Sequence, residues 1–82
     1  MDIFIYFKLN RDIDIDDLEE SIEEILGDEG EVTGSGMGIS GGNLDIELWD
    51  ETILEDFLKK LRELEFPQDT YYVINDKKTN LF

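Results

Sequence analysis

The chain contains no cysteine and no histidine. Without cysteine there is no disulfide and no thiolate nucleophile, and the redox compartment is left open. Without histidine, the usual general base and the commonest neutral metal ligand are both missing. A Ser–His triad, a Cys–His dyad and an ordinary zinc site are excluded on residue identity alone. Bases are scarce as well: seven Lys or Arg stand against 22 Asp or Glu, for a formal charge of −15. No apolar run is long enough to cross a bilayer. The start, "MDIFIYFKLN", carries an acid where a secretory signal needs a base, and its apolar run is short. The expected compartment is the cytoplasm.

What is present suffices for one domain, residues 1–82, around one core of modest stability. Apolar residues make up 40% of the chain, which selects a folded protein over a disordered one despite 35% charged residues. The charge is unevenly placed. From Asp12 to Asp56 there are seventeen acids and no base, whereas the rest of the chain is close to neutral. Such a field repels nucleic acid and anionic membranes and attracts basic proteins. Solubility alone also explains an acidic surface. Forty-five consecutive residues without one base point toward a partner.

Hydropathy patterning divides the chain into six elements. "DIFIYFKL" alternates, with Ile3, Ile5, Phe7 and Leu9 on one face, which predicts a strand. "DIDIDDLEESIEEILGDEG" switches to helical period, with Leu18, Ile22, Ile25 and Leu26 on one stripe and Ile15 beside it. Asp14 suits the N-cap, flanked by Ile13 and Leu18 at staple positions, and Gly27 the C-terminal stop. The predicted helix is Ile15–Leu26. "EVTGSGMG" reads as a weak strand, "ISGGN" as a turn and "LDIELW" as a strand with Leu44, Ile46 and Leu48 inward. A second helix is predicted over Thr52–Glu65. Its stripe is Leu54, Phe57, Leu58, Leu61 and Leu64, its supporting pairs are Glu55–Lys59 and Asp56–Lys60, and Pro67 ends it. "TYYVIN" is the last strand and "DKKTNLF" a tail. Strand, helix, strand, strand, helix, strand is the ferredoxin-like βαββαβ pattern, an α+β sandwich. Its expected antiparallel sheet order is 4-1-3-2, with both helices on one face and the glycine-rich second strand on an edge.

Two motifs imitate ligand loops. Gly36-x-Gly38-x-x-Gly41 matches the dinucleotide pattern, but that motif must open a helix, and here "NLDIELW" follows. There is no P-loop lysine, and the neighbouring acids have the wrong sign for phosphate. The alternative is a hairpin in which Gly34, Gly36 and Gly38, with Val32, line one face of an edge strand. One of the domain's own helices could pack on that strip, or a partner strand could add to the edge. Asp12, Asp14 and Asp16 fall at calcium-loop positions 1, 3 and 5, with Glu23 at 12, but Asp17 stands where such a loop needs glycine. An acidic, capped helix start is the better reading. Paired carboxylates can also hydrolyse glycosides, yet a chain this short has little room for the cleft. No catalytic residue, cofactor or metal is expected.

Two candidate binding surfaces remain. Opposite the first helix's core stripe lie Asp16, Asp17, Glu20, Glu23 and Glu24, with no base at helical spacing. Like charges there repel, so the face is either merely solvated or waits for a basic surface. On the sheet face away from the helices, Phe4, Tyr6, Asp45, Glu47 and Trp49 project together. Aromatics there resemble an RNA-stacking platform, but the carboxylates would face the phosphates. Tyr6 and Trp49 ringed by Asp45 and Glu47 fit a protein interface. The tail, or Tyr71 or Tyr72, could instead cover these aromatics.

The element order, the charge and "GSGMGISGGNLDIELWD" together resemble small, acidic, single-domain bacterial immunity proteins, which neutralise toxin domains of contact-dependent inhibition and related systems. The resemblance covers most of the chain and implies a non-enzymatic inhibitor. Acidic side chains would stand in for nucleic-acid phosphates and mask the basic active site of a cognate toxin, a nuclease by expectation. The resemblance carries over no individual residue. Two other roles fit: a homo-oligomeric ferredoxin-like domain binding a small ligand, or a nucleic-acid mimic aimed at a DNA-binding protein. The sequence leaves the oligomeric state open.

Overall fold

The computed structural model describes residues 1–8, 14–39 and 41–82. The expectations for Leu9, Asp12, Ile13 and Ser40 lie outside the described residues. The described chain runs β1 (Asp2–Phe7), α1 (Ile15–Leu26), β2 (Gly30–Gly38), β3 (Gly41–Leu48), α2 (Leu54–Leu61), β4 (Tyr71–Ile74) and β5 (Lys77–Asn80). Short 3-10 turns over Gly27–Glu29 and Glu51–Ile53 lead out of α1 and into α2. All five strands pair antiparallel, in the order β2-β3-β1-β4-β5. The fold is a small α+β domain with two helices and a five-stranded sheet.

Alternation in β1 and β3 decides which face is buried. Ile3 lies opposite Ile46, and Ile5 opposite Leu44. With Phe7 and Leu48 they form a fully covered row. Leu18, Ile22 and Leu26 of α1 and Phe57, Leu58 and Leu61 of α2 join the same core cluster, so both helices cover one sheet face. Ile15, Ile25, Ile53, Leu54 and Leu64 are partly buried at its margin. The α1 signals are realised: Asp14 accepts the Asp16 N–H at 2.9 Å, and Gly27, at φ 54°, donates its N–H to the Glu23 carbonyl. With ψ at −122° the residue lies outside the left-handed helical well, in a region open to glycine, so the helix stops there.

Four expectations need correction. First, the sheet has five strands, because "KKTN" in the presumed tail is β5. Asn75 and Asp76 take φ of 51° and 64°. Those angles make the two-residue turn that matches strand twist, so Lys77 returns opposite Ile74. Leu81 then inserts into the core, its N–H donating to the Thr70 carbonyl at 3.0 Å. Second, α2 ends at Leu61 and not near Glu65. The following amides of Glu63 and Leu64 bond three residues back, tightening the turn. The chain thereby buries Phe66, whose ring meets Phe7 edge-on at 5.7 Å, and the residue before a proline resists helical geometry. Third, β3 starts at Gly41, so "GGN" belongs to the strand and Gly38 pairs with Gly41. Fourth, Glu55–Lys59 and Asp56–Lys60 do not close. Among the described residues the ion pair formed is Lys8–Asp69 at 3.0 Å.

Candidate interaction surface

A bulge in β2 sets the geometry of the glycine strip. Val32 lies opposite Ile46, but Gly34 lies opposite Asp45, so one extra residue sits between them. The extra residue resets the alternation. Val32 therefore packs against the core, while Gly34 and Gly36 face the other side, opposite Asp45 and Asn43. The expected common face of Val32 with the glycines does not exist. Lacking side chains, these glycines are overhung by their neighbours: a Cβ on Gly34 would lie 3.2 Å from Asp45 Oδ2, and one on Gly36 3.0 Å from Asn43 Oδ1. Gly42 is needed for a different reason, since a Cβ there would meet the Phe7 ring at 2.5 Å and Met37 Sδ at 2.7 Å.

The sheet face away from the helices is divided into two ends. At one end Asp2 lies opposite Glu47, and Glu47 opposite Glu31, so three carboxylates stand in a row across β1, β3 and β2. Like charges directly opposite one another destabilise a sheet. None of the three is in an ion pair among the described residues. Trp49 follows β3 at this end and is 55% exposed. At the other end Tyr6 stacks on Tyr71, its cross-strand partner, with ring centroids 5.2 Å apart. Lys78 Nζ sits 4.2 Å from the Tyr71 centroid. Phe4 and Val73 lie between the two ends. A shallow hollow of about 450 Å³ runs over Asp2, Phe4, Tyr6, Val73, Asn75 and Asp76.

The predicted site residues thus fall into separate groups. Asp16, Asp17, Glu20, Glu23 and Glu24 are all exposed on α1. α1 covers the helix side of the sheet, whereas Tyr6, Asp45 and Glu47 belong to the opposite side. No flat interface can hold both sets. Glu23 is also engaged within the fold, accepting the Val32 N–H at 3.2 Å. Tyr6 and Trp49 do not meet either: Tyr6 lies opposite Asn43, six residues before Trp49, roughly 20 Å along an extended strand. The covering of Tyr6 that the sequence offered as an alternative is partly realised through Tyr71, on which Tyr6 stacks. Sequence reasoning left Asp2 and Glu31 out of the site, because joining them to Glu47 requires the register and the bulge. Glu63 and Glu65, also left out, border a cleft of about 270 Å³ with Asp14, Asp17 and Leu18.

Neither ligand-loop pattern meets its structural requirement. The Gly36–Gly41 motif spans a hairpin and leads into β3. Asp14 is the α1 cap and Asp16 its first turn, where a calcium loop would need both as loop ligands. Among the described residues, no group of three or more acidic side chains is placed to hold a metal ion. No described helix is long and apolar enough to cross a membrane. No protein-family model, curated protein or solved structure matches the chain. The remaining candidate is the acidic, Trp49-bearing end of the open sheet face, backed on the far side by the acids of α1.

Proposed function

We propose that this chain is a non-enzymatic acidic inhibitor that docks on a basic surface of another protein, in the manner of the immunity proteins it resembles. The target is a cytoplasmic toxin, a nuclease by preference, whose phosphate-binding site the carboxylates cover. The fold we assign is a ferredoxin-like sandwich carrying one extra edge strand. The observation that supports this reading best is the row Asp2, Glu47 and Glu31, held on three adjacent strands with none of the three in an ion pair among the described residues. A sheet selected only for stability would alternate signs there.

The two acidic surfaces take different roles in this scheme. The row beside Trp49 makes the contact: carboxylates meet lysine or arginine, and the exposed indole supplies apolar area at low entropic cost. The acids of α1 add to the long-range field that speeds encounter.

The test begins with the gene beside this one. Its product is expressed alone and together with this chain. The expected outcome is growth arrest that this chain relieves, and a purified complex whose association slows as salt rises. Double substitution Asp2→Lys and Glu47→Lys should abolish the relief. A harmless neighbour, or arrest that this chain leaves unchanged, overturns the assignment as its inhibitor.

A further inference from the structure

The two edges of the sheet are unlike. The β5 edge is four residues long and carries Lys77 and Lys78, the charge placement that discourages strand addition. The β2 edge is nine residues long, with no lysine and no proline. Its beginning is covered, because Glu23 of α1 takes the Val32 N–H. Beyond the bulge, no strand lies on the outer side of Gly34 to Gly38 among the described residues. Ser35 and Gly38 there are exposed, Met37 is 42% exposed, and Ile39, next along, is fully exposed.

We infer that the β2 edge over Gly34–Gly38 accepts an extended, lysine- or arginine-bearing segment of the partner protein as a sixth strand. This rests on the docking function proposed above and names the form of the ligand. Along an antiparallel edge, about every second residue directs its N–H and C=O outward, which gives the ladder. Charge selects the occupant. Asp45, on the second strand in, leans over Gly34 with its carboxylate 3.2 Å from where a Cβ would lie. A side chain at position 34 would wall that carboxylate off from the edge; glycine leaves it reachable. Cross-strand neighbours lie about 5 Å apart, so a basic side chain opposite Gly34 spans the glycine to meet Asp45. Asn43 Oδ1 is presented over Gly36 in the same way, and Glu31 continues the acidic strip toward Glu47. A second copy is the poorer occupant, because pairing two β2 edges brings together two chains of charge −15 each.

The test is a nitrogen-15 NMR titration and amide-exchange measurement with a synthetic alternating Thr–Lys decapeptide. The same Thr–Lys decapeptide with every backbone nitrogen methylated, of equal charge and without an N–H donor in either register, is the control. The unmethylated peptide should slow exchange of amides within Gly34–Gly38, the methylated peptide should not, and Asp45→Asn should weaken the unmethylated peptide about twofold to fivefold. Asp45→Asn keeps the side-chain shape, so its own spectrum reports whether the fold survives. Equal binding of both peptides, with shifts confined to α1 or to the Asp2–Glu47 end, overturns strand addition and leaves the acidic docking function standing. Protection of the β2 amides by the protein's own concentration, without peptide, replaces the basic segment with a second copy. Absence of any peptide binding at low salt also overturns the inference, while the growth-rescue experiment continues to decide the function itself.

Discussion

Thr70 is fully buried, and its hydroxyl has no hydrogen-bond partner among the described residues. Its backbone is satisfied: the N–H donates to the Pro67 carbonyl at 3.1 Å, and the carbonyl accepts from Leu81 at 3.0 Å. The side-chain oxygen alone therefore bears a desolvation penalty, of order 1–3 kcal/mol for a buried neutral group. Thr70→Val keeps the branched shape and exchanges the hydroxyl for a methyl. We expect stabilisation by about 1–2 kcal/mol, or roughly 5–10 °C in melting temperature for a domain of this size. The assay is urea unfolding followed by circular dichroism, with the denaturant slope as a control that the unfolded reference is unchanged. Thr70→Ser is the counterpart. It keeps the hydroxyl, removes a buried methyl and should lose about 1 kcal/mol. If valine destabilises the protein while serine is neutral, the hydroxyl is bonded and the reasoning fails.

Gly42→Ala should destabilise by about 1–3 kcal/mol in the same unfolding assay, because the Phe7 ring occupies the space a methyl needs. The double change Glu20→Lys and Glu24→Lys on the exposed face of α1 should leave the circular dichroism spectrum intact and slow association with a basic partner at low salt. The difference should shrink in stopped-flow traces at 1 M salt, where the screening length falls to about 3 Å. The Asp50 carboxyl is held below its ordinary value by the Thr52 hydroxyl, at 2.7 Å, and by the Thr52 N–H, at 2.9 Å. A depressed folded-state value contributes stability above the unfolded value, which is lost as pH falls through the folded one. Asp50→Asn should therefore lower the melting temperature at neutral pH, and the gap to the native protein should narrow below the ordinary aspartate range.

The elements legible in the sequence were those where one local signal agreed with burial. Ile3, Ile5, Leu44, Ile46 and Leu48 alternate because one sheet face is covered, and Leu18, Ile22 and Leu26 recur at helical spacing for the same reason. Asp14 and Gly27 carry end signals that act over two to four residues, so they could be read directly. What escaped depends on partners distant in the chain. "KKTN" has no apolar alternation; it is a strand because the Asn75–Asp76 turn returns it to β4. Phe66 could not be placed in the core without the Phe7 ring that receives it. The bulge between Val32 and Gly34 has no composition of its own, yet it moves Val32 to the far face from the glycines. For the site, residue identity on each element was readable, but its assembly was not. Asp2, Glu47 and Glu31 meet through register, and the α1 acids lie behind the sheet from Tyr6.

The placement of Lys77 and Lys78 on one outer strand and Glu31 on the other has a rotational consequence. Five strands at about 4.8 Å spacing put these edges roughly 19 Å apart. A uniformly negative body is only drawn toward a cation-rich target, whichever way it faces. A body with its cations on one rim and its anions on the other also feels a torque, and turns in the target's field before contact. The molecule would then arrive with the β2 edge leading and the β5 edge trailing, and fewer collisions would be wasted on the wrong side.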